Sequence, residues 1–316
     1  MRTLAGQLTV QTLRILATLP PSTLLLLAEF LWPFYFLINY QKIKRLHVLW
    51  SNLPVRVTTY SYYRTRLKLV LIHNSYYNLC FDTDHSHKSC HPFTNTKATA
   101  TLPIHNFKIK NAEYYKQAME SKHPVLIISL HMGPFELLQH WLHQQAITNG
   151  KKSYLIVADT FSKPLTHYLN TARAKNGQYI ISNHQTKLGL RNWLKNKGVL
   201  KVLIDQTRTK DSLLKTNMGF SLPWPQSLIS WALQQGAICL PTLIIPTDRQ
   251  LDEPLQIPVT KPFNFLDFEI FISEPLHKDQ MDWAKNIQAW LENSLALYPS
   301  IYNWSYQGIS INPKTS

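Results

Sequence analysis

From Pro124 to about residue 245 the chain alternates short apolar runs with amphipathic stretches, and few architectures accept that rhythm. The apolar runs cover 124–130, 153–158, 178–182, 199–205 and 237–245, and helical spacing fills 135–148, 163–176, 185–197 and 226–235 between them. Each run is too short for a buried helix and suits a strand covered on both faces. A helix between successive strands returns the chain to the edge where it started, so the strands run parallel. The expected fold is therefore α/β, a mainly parallel sheet flanked by helices. A last helix at 279–298, with Trp283, Ile287, Trp290, Leu291 and Leu295 at core spacing, closes it.

The start of the chain is different. Leu4, Leu8, Leu13 and Leu16 recur roughly at helical spacing, with Arg2 and Arg14 among them. Pro20-Pro21-Ser22 interrupts this pattern, and residues 23–38 are then almost wholly apolar and rich in aromatics. About 20 apolar residues are needed to cross a bilayer. Here 16 are available, with Glu29 and Pro33 among them. The numbers favour a half-inserted or interfacial anchor, with Trp32, Tyr35 and Tyr40 at headgroup level and Lys42, Lys44 and Arg45 on phosphates. The alternative is a buried core helix with a basic flank.

Charge supports the first reading. Residues 1–110 hold 13 Lys/Arg against only Glu29, Asp82 and Asp84, while the remaining 206 hold 20 against 15. A positive excess beside the most apolar segment points to an anionic membrane surface. No nucleic-acid module accompanies the charge, so no nucleic-acid partner is expected. The division expected is 1–45, membrane-associating helices, and 46–316, a helical lead-in over 46–120 with an α/β core over 121–316.

Three cysteines, Cys80, Cys90 and Cys239, make no disulfide framework and fit a reducing compartment. No cleavable signal peptide is expected. Cys80, Asp82, Asp84, His85, His87, Cys90 and His91 crowd one stretch, but their spacing matches no established zinc pattern. A polar loop is expected there, and no metal site.

In a parallel sheet, chemistry gathers beyond the carboxyl ends of the strands. His131 follows the first of these strands and Asp205 follows the fourth. If Pro134 takes the first helical position, Glu136 falls in the first turn, where its carboxylate meets the positive helix end and can face back to His131. An imidazole so held can take a proton from an alcohol or amine. No Ser or Cys stands in a nucleophile elbow, which favours direct transfer over a covalent enzyme intermediate.

His131 and Glu136 together resemble the H-x4-D/E signature of the glycerolipid acyltransferase superfamily, and the wider layout is similar to its bacterial branch, the lipid A biosynthesis (lauroyl/myristoyl) acyltransferases. The resemblance runs through Leu19-Pro20, the basic stretch Lys42 to Arg45, and Asn52-Leu53-Pro54. It continues through Leu130 to Leu138 (compare H-x-G-x-x-E), Asn170 to Arg173, and Val202 to Gln206. Phe220 to Trp224, Gly236 to Pro241 and Tyr298 to Trp304 complete it. The chain departs at Thr207, where the family carries an acid, at Met218-Gly219-Phe220 in place of Phe-Phe-Gly, and after Trp304, where Ser305-Tyr306-Gln307 replaces a basic run.

The resemblance implies transfer of a fatty acyl group from an acyl carrier protein or coenzyme A thioester to a hydroxyl of a lipid. The acceptor stays open between a glycolipid of the lipid A type and a lysolipid. It implies His131 as base, Glu136 as its orienting partner, and Arg173 on an acceptor phosphate or the developing oxyanion. Asp205 would order Arg173 or the acceptor, with Gln206 beside it. It implies no cofactor beyond the acyl donor, and a place at the cytoplasmic (inner) membrane with the catalytic domain facing the cytoplasm. The competing implication is a catalytically degenerate lipid-binding protein of the same fold.

Overall fold

The computed structural model describes residues 2–17, 19, 21–40, 43–51, 53, 57–59, 62–71, 107–158, 160, 162–174, 177–182, 185–205, 212–247, 264–280, 282–304 and 309–311. The N-terminal part holds α1 (Arg2–Ala17), α2 (Pro21–Ile38), α3 (Ile43–Trp50) and α4 (62–71). After it come β1 (Lys108–Lys110), α5 (Ala112–Glu120), β2 (Val125–Ser129), α6 (Phe135–Thr148), β3 (Ser153–Ile156), α7 (Lys163–Ala174) and β4 (Tyr179–Ile181). Then follow α8 (Thr186–Lys195), β5 (Val199–Leu203), β6 (Leu213–Lys215), β7 (Phe220–Pro223), α9 (Gln226–Gln234) and β8 (Ile238–Thr247). The chain closes with β9 (Asn264–Ile272), α10 (Trp283–Leu297) and β10 (Ser310–Ile311).

Among the described residues the main sheet has the order β1-β9-β8-β2-β5-β3-β4. β8, β2, β5, β3 and β4 are mutually parallel, and only the β8–β9 pairing is antiparallel. The fold is α/β, a mostly parallel mixed sheet flanked by helices. β2 is its centre: Val125, Leu126, Ile127 and Ile128 are wholly buried, which is why the strand reads as one continuous apolar run. Each such side chain contributes about 1.5–3 kcal/mol by leaving water. The short sheet β10-β7-β6 and the outer strands β9 and β1 were not expected from the sequence.

The strand order sets where a site can form. The chain steps from β2 over β5's place to β3, on to β4, then returns to insert β5 beside β2. Right-handed crossovers put the helices of the outward steps, α6 and α7, opposite those of the return, α8 and α9. Trp193 of α8 and Trp231 of α9 accordingly pack together, ring centroids 6.3 Å apart. The reversal of strand order at β2 and β5 opens a crevice above their carboxyl ends.

In α2, Leu24 and Ala28 are buried against Leu67 and Leu71 of α4. Glu29, the acid inside this apolar helix, is held by Arg64 at 2.6 and 2.7 Å and also contacts Lys68. The Arg64 hydrogen bonds hold its carboxyl below the ordinary range, against the opposing effect of burial. Trp32 and Tyr35 are half-buried and pack against the α2–α4 cluster. The opposite stripe, Leu26, Phe30, Phe34 and Leu37, is 60–69% exposed. Tyr40 is exposed too, and the side chains of Lys42, Lys44 and Arg45 lie outside the described residues. Among the described residues no helix is long and apolar enough to cross a membrane.

Candidate active site

β2 and β5 are parallel neighbours in a register that pairs Ser129 with Leu203. The Ile204 N–H continues it, donating to the Ser129 carbonyl at 2.9 Å. Two residues past each strand end, His131 and Asp205 therefore stand side by side. Asp205 is fully buried; its two oxygens accept from the His131 backbone N–H at 3.0 and 3.2 Å, and Oδ1 lies 2.9 Å from Nδ1 of the ring. An ionised carboxylate only accepts, so Nδ1 carries the hydrogen and Nε2 the lone pair. Nε2 has no partner among the described residues, and the ring, 20% exposed, lines a cavity of about 770 Å³.

The turn that delivers His131 depends on Gly133. Its φ of +57° lies in the left-handed region, and a Cβ there would stand 2.1 Å from the Ile244 carbonyl oxygen. The turn is fastened to the chain's closing segment: the Gly133 N–H donates to Ile301 O at 3.3 Å and the Asn303 N–H donates to His131 O at 3.0 Å. Met132 bridges to Tyr302. The Trp304 indole N–H donates back to Pro299 O at 2.7 Å and fixes that segment in turn. The Tyr-Pro-x-x-Tyr-x-Trp stretch thus acts as the clamp on the histidine turn.

α6 starts at Phe135, and Pro134 occupies the cap rather than the expected first helical position. The Phe135 ring packs edge-on against the imidazole, centroids 4.9 Å apart. Glu136, next along, is held by Arg173 of α7: Nε lies 3.3 Å from Oε2, and Nη2 contacts Oε1. Arg173 also approaches Asn170 Oδ1 at 3.5 Å. The expected pairing is therefore exchanged. The carboxylate on His131 is Asp205, not Glu136, and the one on Arg173 is Glu136, not Asp205. His131, Glu136 and Arg173 all line the same cavity. Gln206 lies outside the described residues, as does the whole stretch from Cys80 to His91. Among the described residues no three His, Cys, Asp or Glu side chains cluster as metal ligands.

Two features of the site were missed in the sequence. Lys201 sits in the middle of β5 and is fully buried; Nζ donates to Gln178 Oε1 at 2.5 Å and to the Gln139 carbonyl at 3.1 Å. Burial pushes its ammonium well below the ordinary lysine range, and the nearby charge of Glu136 opposes that shift. A lysine inside the apolar run Val199 to Leu203 was the available signal. Gln139 also lines the cavity, though nothing in its helical spacing separates it from an ordinary surface glutamine. The remaining wall is mainly apolar and includes Leu155, Ile156, Val157, Leu190, Leu228 and Trp231.

No family model matches this chain, and no curated protein does. Among solved structures it is similar to the crystal structure of the 1-acyl-sn-glycerophosphate (LPA) acyltransferase PlsC from Thermotoga maritima. The likeness has 13% identity and a TM-score of 0.34, and covers 88% of this chain and 95% of that one. At that score no residue role passes from one to the other.

Proposed function

We propose that the chain is a membrane-associated acyltransferase that moves a fatty acyl group from a carrier protein or coenzyme A thioester to a lipid hydroxyl. The observation that carries this reading is the His131–Asp205 pair, its Nε2 lone pair turned out at a cavity with mainly apolar walls. His131 removes the proton from the acceptor hydroxyl as its oxygen attacks the thioester carbonyl. The C–S bond then breaks and the imidazolium returns the proton to the leaving thiolate. Asp205 holds the tautomer and steadies the imidazolium.

Glu136 and Arg173 form the rim that positions the acceptor. Their mutual ion pair leaves Arg173 hydrogen-bonding by shape more than by net charge. Gln206 stays assigned to the acceptor on the family resemblance alone. The acceptor is a glycolipid of the lipid A type or a lysolipid. The exposed apolar stripe of α2 fits insertion into one leaflet, and the proposed place is the inner membrane with the site facing the cytoplasm, where such thioesters are made.

The test is radiolabelled acyl transfer by the purified protein in detergent, with lysolipid and glycolipid acceptors. His131→Ala is expected to remove turnover by roughly 10³-fold or more with melting unchanged. Full activity in that variant rejects the assigned base. Tight lipid binding with no thioester consumed supports the degenerate binding protein instead.

A further inference from the structure

The 45 residues from Thr160 to Ile204 carry eight Lys/Arg and not one Asp or Glu. Arg173 is paired with Glu136 and Lys201 is buried, but three of the others line up on α8. Lys187, Arg191 and Lys195 stand four residues apart, so they follow one another along one flank of the helix over about 12 Å. All three are exposed, and no carboxylate pairs with any of them among the described residues. Like charges at this spacing cost an isolated helix about 0.2–0.5 kcal/mol a pair, so folding does not account for the stripe. Apolar surface lies beside it. Leu188 is 62% exposed, and Tyr179 of the edge strand β4 is 48% exposed. The Tyr179 ring stacks on Tyr154, whose hydroxyl donates to the Asn192 carbonyl of α8. The stripe begins at the cavity, for Thr186 and Leu190 of the same helix line its wall.

We propose that the exposed face of α8 is the docking surface for an acidic acyl carrier protein, which brings the thioester to the cavity from that side. The inference rests on the acyl-transfer reading and, within it, chooses the carrier protein over coenzyme A as donor. Charges spread along a helix beside exposed apolar side chains have the make-up of a protein interface, apolar at its centre and polar at its rim. The compact phosphates of coenzyme A call for a concave cluster of cations, whereas these three stand on a convex helix surface. Unpaired positive charge also steers an acidic partner before contact. An anionic membrane is the other candidate for a basic face, and the fold turns α8 away from it. α1 packs on α7, with Arg14 5.7 Å from the centroid of the Tyr168 ring, and its Leu16 joins the cluster between α2 and α4. α7 and α8 cover opposite faces of the sheet, so the helices proposed to meet lipid and the basic stripe lie on opposite sides of it.

The test measures acyl transfer by the full chain in detergent from tetradecanoyl acyl carrier protein and from tetradecanoyl coenzyme A. Wild type is compared with the combined Lys187→Glu, Arg191→Glu and Lys195→Glu variant, and binding of the carrier protein to the immobilised chain is read alongside. Reversing three exposed charges is expected to raise KM for the carrier thioester roughly thirtyfold or more, since each lost pair becomes a like-charge contact. kcat, melting and turnover of the coenzyme A thioester should stay near the wild-type values, and wild-type carrier binding should fade as salt rises. Where the coenzyme A thioester is not used, KM and carrier binding decide alone. Where the triple variant does not fold, Arg191→Glu is read in the same way. Equal loss with both donors, no loss with the carrier, or no carrier binding by wild type overturns the proposal. So does a reversal that weakens binding to anionic vesicles and spares binding to the carrier. Carrier binding that the reversal abolishes, with no acyl group transferred by wild type, refutes the transferase reading and leaves the docking face standing. Transfer from the carrier that the reversal leaves untouched does the opposite.

Discussion

Asp205→Asn separates the assigned dyad from a merely structural contact. The change keeps the size of a fully buried side chain and alters only its hydrogen-bonding character. Asp205 now accepts from two donors, the His131 backbone N–H and Nδ1–H. An amide has one oxygen and one NH₂ for those two partners. With its oxygen kept on the backbone N–H, its NH₂ faces Nδ1, which must then surrender its hydrogen to Nε2. The nitrogen turned to the cavity becomes a donor and cannot act as a base. Loss of that tautomer is expected to lower kcat about 10³- to 10⁴-fold, which is roughly 4–5.5 kcal/mol of barrier at 1.36 kcal/mol per decade. Folding should suffer far less. Weakening two charge-assisted hydrogen bonds, each worth about 1.5–3 kcal/mol net, while keeping one acceptor in place costs ~1–3 kcal/mol. Single-turnover acyl transfer and a urea titration on the same preparation read both quantities. A variant with near-wild-type kcat, or one whose lost activity tracks its unfolded fraction, refutes the assignment of Asp205 to the imidazole's tautomer.

Gly133→Ala should destabilise the protein by about 2–4 kcal/mol, from the left-handed backbone and a Cβ driven into a main-chain oxygen. An unchanged urea midpoint would mean that the histidine turn relaxes freely. Phe30→Asp combined with Phe34→Asp changes two side chains that are 69% and 63% exposed, so melting should hold. Binding to anionic phospholipid vesicles should weaken roughly a thousandfold, at about 2 kcal/mol for each ring withdrawn from lipid. Undiminished sedimentation with vesicles would remove α2 as the docking surface.

How far the text of the chain led depended on whether the signal was local. The strands expected at 124–130 and 199–205 form as β2 and β5, because a central strand has to be apolar at every position and that run shows in any window. The helix expected at 135–148 begins and ends where α6 does. By contrast β9, antiparallel and at the far side of β8, follows a stretch with no clean period and was not anticipated.

The same division runs through the site. Sequence alone singled out His131, Glu136 and Asp205 as the polar residues at strand ends and in an early helical turn, since those positions follow from where each apolar run stops; Arg173, in the last turn of α7, came from the family resemblance alone. Partnership could not be read that way. Glu136 is five residues from His131, yet Phe135 takes the place against the ring and the helix carries Glu136 across to α7. Asp205 is 74 residues away, yet the sheet inserts β5 directly beside β2, and one parallel register brings its carboxylate to the imidazole. Strand order is a property of the packed sheet, decided by which apolar faces bury one another, so only the tertiary structure chose the acid that holds the histidine.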